Sequence, residues 1–216
     1  VKKIAVILAG CGSKDGAEIT EAVSTLLTLS ELKVKFDIFA PDVEISVTNH
    51  LNGALSKETR NVLVEAARIA RGQIKDLVHL KADDYDGVVF PGGYGVARSL
   101  CTWGKDGAKC EVLPDAKRVI EEFYSQAKPI CAICIAPALI ARVLGHYGIN
   151  LTLGQDSEAS LEVTKTGASH VKCAATDYVS DRESKIITTP AYMCDATPFE
   201  VYTGIRKALH EMVEMA

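Results

Sequence analysis

A chain of 216 residues, 48% hydrophobic and 24% charged, has the balance of an ordinary globular domain and can bury roughly 70% of the surface that its unfolded form exposes. Its net charge of −4 gives no electrostatic reason to expect nucleic acid or an anionic membrane as a partner, and no apolar run approaches the ~20 residues of a membrane-spanning helix. Seven cysteines, at 11, 101, 110, 131, 134, 173 and 194, are odd in number and scattered; they fit neither a disulfide framework nor a zinc pattern and point to a reducing compartment.

The first predicted element is an apolar strand over residues 4–9 that breaks at Gly10-Cys11-Gly12. No secretory leader precedes it, so a cytoplasmic location is expected, or a mitochondrial one if the chain is a processed eukaryotic form. The Gly10-x-Gly12 pair lacks the third glycine of a dinucleotide loop, since position 15 is Asp. Asp15 with Glu18 three residues on resembles a capping box. A helix over 18–32 follows, with Ile19, Ala22, Val23, Leu26, Leu27 and Ser30 forming one stripe. Glu21 lies off that stripe: it reads either as a solvated helix carboxylate or as an acid/base group.

A strand over 34–40 stops at Pro41-Asp42, and residues 43–57 read as polar and turn-rich. An amphipathic helix over 59–71 closes at Gly72. A short buried strand, 87–90, meets Pro91-Gly92-Gly93. The loop-rich stretch 101–114 precedes a helix over 115–126. Next comes a buried strand ending near Cys134, then a helix over 138–143. Tyr178-Val179 and 186–189 read as strands of an antiparallel hairpin, and 198–212 as the closing helix. Repeated strand–helix units predict a single α/β domain, 1–216, a three-layer sandwich with a mostly parallel, flavodoxin-like central sheet. Sites in such sheets form at the carboxyl ends of the strands.

Three segments there can carry chemistry. Cys134 sits where a strand turns into a helix, so the helix dipole favours its thiolate; the plainer reading is a buried cysteine that fills space. Cys131 belongs to the strand, and the C-x-x-C it forms with Cys134 lacks the Gly or Pro usual in dithiol redox motifs. Gly92 and Gly93 allow close backbone approach, and their N–H groups suit an oxyanion; alone they mark only a tight turn. His50 and His170 lie at loop or strand ends, whereas His79, His146 and His210 look incidental.

Together the segments resemble a known group. AICIAPALIA is similar to the nucleophile elbow of the PfpI superfamily, which has the class I glutamine amidotransferase-like fold. GAEITEAV resembles its carboxylate helix and FPGGYG its glycine turn. LAGCGSKDGAEI, ETRNVLVEAARIARG, PGGYGVA, CIAPAL and TTPAYM resemble the ElbB-type glyoxalase family, from Lys3 to about Leu209.

The resemblance implies Cys134 as nucleophile and Glu21 as a carboxyl against its sulfur. Gly92, Gly93 and Ile135 would serve the oxyanion, and His170 would be a third member. It also implies a homodimer and no cofactor or metal. The glutaminase histidine after the last core strand is missing from Thr188-Thr189-Pro190-Ala191-Tyr192, and Ile135 stands where some proteases carry histidine, so glutamine hydrolysis and peptidase activity are disfavoured. The expected reaction is conversion of a small reactive carbonyl, glyoxal or methylglyoxal, to glycolate or lactate. The alternatives are a redox-responsive or binding protein with an oxidisable elbow cysteine, and a thiol esterase or amidase.

Overall fold

The computed structural model describes residues 1–216. In chain order its elements are β1 (Lys3–Ile7), α1 (Ile19–Glu31), β2 (Lys35–Ala40), β3 (Glu44–Thr48), β4 (Leu55–Asn61), α2 (Val62–Ile69), β5 (Lys75–Asp76), β6 (Gly87–Phe90), α3 (Trp103–Asp106), α4 (Pro114–Ser125), β7 (Ile130–Ile133), α5 (Ala136–Leu144), β8 (Asn150–Leu151), α6 (Glu158–Thr164), β9 (Ser169–His170), β10 (Val179–Asp181), β11 (Ile186–Thr189) and α7 (Pro198–Met215). The main sheet runs β10-β11-β7-β6-β1-β2-β5. Every pair in it is parallel except β10 with β11, the hairpin expected from the sequence.

Strands β6, β7 and β11 are buried along their whole length, and β1 from Ile4 onwards. A strand buried on both faces needs a covering layer on each. Helix α1 packs beside α7 and α4 beside α5, which supplies the three-layer arrangement. The chain ends of β1, β6, β7 and β11 thus open at one edge of the central sheet.

Three local differences from the sequence reading have physical causes. Residues 43–57 are not simply turn-rich: β3 and β4 form an antiparallel ribbon pairing Glu44 with Asn61 and Ser46 with Thr59. That pairing holds Thr59, Arg60 and Asn61 in a strand, so α2 starts only at Val62, capped by the Asn61 side chain. Residues 150–170 add α6 and the short parallel pair β8–β9, elements too brief to show a period.

The largest difference is in α1. Ile19, Val23 and Leu27, assigned to the buried stripe, are about half exposed, at 49%, 50% and 55%. The buried face instead carries Glu21, Ala22, Ser24, Thr25, Thr28 and Leu29. Hydroxyls on this face satisfy themselves within the helix: Thr25 Oγ1 donates to Glu21 O at 2.9 Å and Thr28 Oγ1 to Ser24 O at 2.8 Å. Buried polar groups so paired cost little, and small side chains permit close packing. The start of α1 is also set differently. Glu18, not Asp15, is the cap, its Oε2 accepting the Glu21 N–H at 2.8 Å. Asp15 Oδ2 accepts the Thr48 N–H at 2.7 Å and ties the loop after β1 to β3.

Candidate active site

Cys134 occupies the joint between β7 and α5 with φ +61°. A non-glycine residue in this left-handed region costs roughly 1–3 kcal/mol and persists only where its surroundings fix it. Here its N–H donates to Thr189 O, at the end of β11, at 3.0 Å. The side chain is 8% exposed, and the N–H groups of Gly93 and Ile135 face its sulfur. The strand-to-helix elbow read from the sequence is therefore present.

The glycine turn after β6 makes room for this. A Cβ on Gly93 (φ +99°) would lie 2.2 Å from Gly16 O and 2.4 Å from Glu18 N, so the turn is pressed against the loop before α1. A Cβ on Gly92 would lie 2.4 Å from both Cys134 Cβ and Glu21 Oε2. Gly92 is the gap through which the thiol and the carboxyl meet. Its N–H faces Glu21, while that of Gly93 faces the sulfur, so the two glycines serve different partners. Gly92→Ala is expected to force the pair apart and lower the melting temperature by several degrees, overpacking costing about 1–3 kcal/mol. An unchanged melting temperature together with unchanged Cys134 alkylation kinetics would show that the gap is not needed.

Glu21 is fully buried. Its Oε1 accepts the Tyr192 N–H at 3.4 Å, and Oε2 makes no hydrogen bond of ordinary geometry, facing Cys134 at looser range. Burial, reinforced by the negative field of Glu18, pushes the Glu21 carboxyl up to about 8; contacts from Cys134, Tyr192 and Gly92 oppose the rise. At neutral pH Glu21 is therefore mostly protonated. Glu18→Gln keeps a cap oxygen for the Glu21 N–H but removes the charge. The Glu21 titration should then move below 8, read from the pH dependence of Cys134 alkylation; an unmoved profile would exclude coupling between the two carboxyls.

The sulfur departs from the expected thiolate. Burial, then the charge and hydrogen bond of Glu21, push the Cys134 thiol well above its ordinary value, against the N–H groups of Gly93 and Ile135. The helix-end effect is outweighed first by burial of the thiol and then by the carboxyl on its other side. The resting site is a neutral thiol beside a protonated acid, held in a cage of backbone N–H groups.

The structure thus brings together Cys134, Glu21, Gly92, Gly93 and Ile135. No hydrogen bond or charge ties His170 to this group: it sits on β9 with Leu151 of β8 as its register partner, its Nε2 is buried without a hydrogen bond, and the charges acting on it are those of Asp156 and Lys172. His50 bonds to the loop after β1, its Nε2 accepting the Lys14 N–H at 3.1 Å. Cys131 is wholly buried within β7, and burial alone pushes its thiol up to about 12. Two contributors escaped the sequence reading. The Glu18 carboxylate had been read only as a cap partner, and the Tyr192 N–H is aimed by Ala191 at φ +45°. The sole trace of the second was the TTPAYM segment after β11.

The family model described as DJ-1/PfpI matches residues 2–196. A mitochondrial ES1 protein homolog of Rattus norvegicus is 40% identical over 224 residues, covering 99% of this chain and 84% of that protein. The mitochondrial glutamine amidotransferase-like class 1 domain-containing protein 3 of Homo sapiens is also 40% identical, over 99% of this chain and 83% of that protein. An isoprenoid biosynthesis protein with an amidotransferase-like domain from Ehrlichia chaffeensis superposes with a TM-score of 0.94 at 38% identity, covering 100% of this chain and 99% of that one.

Proposed function

The chain belongs to the DJ-1/PfpI family, with a class I glutamine amidotransferase-like fold, and from that premise we propose that it is a cofactor-independent, glyoxalase-like enzyme acting on glyoxal or methylglyoxal. The observation that carries the proposal is the fully buried Glu21 carboxyl, raised to about 8, set against the Cys134 sulfur. A carboxyl that ionises near pH 8 beside a nucleophile suits addition to a carbonyl, because it can take the thiol proton and pass it to the new oxygen as the bond forms.

In this mechanism the Cys134 sulfur bonds to the aldehyde carbon. The thiol proton passes by way of Glu21 to the former carbonyl oxygen, giving a hemithioacetal. The Gly93 and Ile135 N–H groups, already directed at the sulfur, stabilise negative charge that develops beside it. Ionised Glu21 then takes the hydrogen from the attacked carbon as a proton and returns it to the neighbouring carbon, while the hydroxyl proton on the attacked carbon passes to the neighbouring carbonyl oxygen, leaving a 2-hydroxy thioester. Water cleaves the thioester, releasing glycolate or lactate and restoring the thiol. The sum is dicarbonyl plus water to hydroxyacid, an internal redox change that needs no external electron acceptor. Glu21 is assigned both proton transfers because it is the carboxyl that meets the sulfur, whereas the charges acting on His170 are Asp156 and Lys172.

Size favours this substrate class. Cys134 is 8% exposed, and the main surface cavities are lined by residues other than Cys134 and Glu21. A two- or three-carbon aldehyde reaches so buried a sulfur more readily than the ester and amide substrates of the alternative reading. The proposed setting is a reducing compartment, the cytoplasm or the mitochondrion; relatives at similar identity include mitochondrial vertebrate proteins and a bacterial one. A homodimer remains the proposed assembly.

The test is hydroxyacid formation from glyoxal and methylglyoxal by purified protein, beside peroxide titration with intact-mass analysis and a panel of small esters and amides. Multiple turnovers of dicarbonyl support the enzyme. Oxidation confined to Cys134 without turnover would replace it with the redox-responsive reading, and ester or amide cleavage with the hydrolase.

A further inference from the structure

Two cysteines outside the Cys134 site stand together at the neck of a loop. After the glycine turn the chain makes one π-helical turn, Val96–Leu100, closed by the Cys101 N–H donating to Val96 O at 3.1 Å. Cys101 then pairs antiparallel with Val112. The Thr102 N–H donates to Glu111 O, and the Leu113 N–H to Leu100 O, both at 2.9 Å. Residues 103–109 leave and return through this neck, and Cys110, two residues before Val112, re-enters it on the same face as Cys101 and diagonally opposite it. The Cys101 S–H donates to Val96 O at 3.4 Å.

The pair is buried, Cys101 at 4% exposure and Cys110 at 0%, and each residue borders a cavity. Cys110 belongs to the lining of a cavity of about 610 Å³, with Lys109, Lys117, Arg142 and His146 around it. Cys101 borders a second cavity of about 240 Å³ beside Arg98 and Thr102. Arg142 is fixed at the neck, its Nε donating to Cys110 O at 2.8 Å. The two thiols are unequal. The hydrogen bond from Cys101, then the positive charge of Arg142, hold the Cys110 thiol below its ordinary value despite burial and the charge of Asp106. Cys101 is pushed up, first by Cys110 and then by burial. One sulfur is prepared to attack, and the other retains its proton until it resolves the product.

We propose that Cys101 and Cys110 form a second reactive site, a dithiol that hydrogen peroxide converts to a disulfide across the loop neck, with Cys110 as the attacking sulfur. The Cys110 thiolate attacks one peroxide oxygen and expels hydroxide, giving a sulfenic acid. The Cys101 sulfur then attacks the Cys110 sulfur, and its thiol proton and the departing hydroxyl leave as water. Two thiols lose two electrons and two protons; one peroxide becomes two waters. The bond closes the loop at the segment that follows the glycine turn, yet the chemistry is independent of Cys134.

The experiment uses the full chain carrying Cys134→Ser, so that the elbow thiol contributes nothing. The protein is exposed to a few equivalents of hydrogen peroxide, denatured, alkylated with N-ethylmaleimide and mapped by mass spectrometry. The expected result is two fewer alkylations than in the untreated protein, with the Cys101 and Cys110 peptides joined by a bond that dithiothreitol reverses. Adding Cys101→Ser should leave a dimedone-reactive sulfenic acid at Cys110; adding Cys110→Ser should leave Cys101 reduced. Alkylation of both residues at a peroxide level that oxidises other cysteines would overturn the proposal, as would a disulfide to another partner. Dimedone labelling of Cys101 in Cys110→Ser as fast as that of Cys110 in Cys101→Ser would overturn the assigned order of attack.

Discussion

Cys134→Ser is expected to lose dicarbonyl turnover by on the order of 10³-fold or more, the scale on which removal of a catalytic nucleophile acts, while its melting temperature changes little. The hydroxyl is close to the thiol in size and keeps the Thr189 tether, since that bond uses the backbone N–H. What is lost is the polarisable sulfur that adds to an aldehyde and later leaves from a thioester. Cys131→Ser is the control. Cys131 lies three residues earlier, fully buried, with burial alone acting on its thiol. It should retain most activity and pay in stability, because a hydroxyl replaces a thiol in an apolar setting. Steady-state assays with both variants check this. Equal loss in the two, or none in Cys134→Ser, would sever the proposed reaction from the elbow.

Glu21→Gln should weaken activity and raise stability together. A positioned acid/base group contributes about 10²–10⁴-fold, and Gln cannot carry the proton between thiol, oxygen and carbon. In the wild type, activity should rise with pH through about 8 as Glu21 ionises and can act as base. Stability runs the other way. The folded pKa of Glu21 lies above its unfolded value, so between the usual carboxylate range and about 8 the folded chain holds a proton that the unfolded chain has released. The stability tied to that proton is complete below the ordinary carboxylate pKa and is lost as pH rises through the folded value. At 1.36 kcal/mol per unit, a rise from 4.5 to about 8 makes the loss roughly 5 kcal/mol. Glu21→Gln has no such proton. The two proteins should therefore melt alike near pH 4, with the variant more stable by up to ~10–20 °C near pH 8. Melting curves at four or five pH values test this; parallel curves across the range would mean that Glu21 titrates normally.

The architecture was legible because its signals were redundant. The long apolar strands, the β-branched run before Cys134 and the hairpin around residues 181–184 each carry their own pattern, and all agree with one parallel sheet. The elbow was legible because a strand running directly into a helix leaves few places for the residue between them. Helix α1 differs from its reading because its inward face carries Ser24, Thr25 and Thr28, and the Thr25 and Thr28 hydroxyls pair with the helix's own backbone, a solution that hydrophobic periodicity does not register. The same error made Glu21 look solvated; only resemblance to a carboxylate helix pointed inward. The state of Cys134 was misjudged for a related reason. The dipole at a helix N-terminus can be read from sequence, but the burial of the thiol and the approach of a carboxyl from another helix cannot. Short elements such as β8, β9 and α6 have no period to detect, so the β8–β9 pairing that holds His170 was not legible.

The central claim is that the Cys134–Glu21 pair turns over a small dicarbonyl. Carbon-13 NMR of labelled glyoxal incubated with catalytic amounts of the purified protein is the most direct test. Glycolate should accumulate to many equivalents per protein chain, faster near pH 8 than near pH 6, with no added cofactor. Labelled glyoxal that ends only as its hydrate or as a fixed adduct on the protein, with glycolate never exceeding one equivalent, would refute turnover and leave Cys134 as a thiol that reacts once.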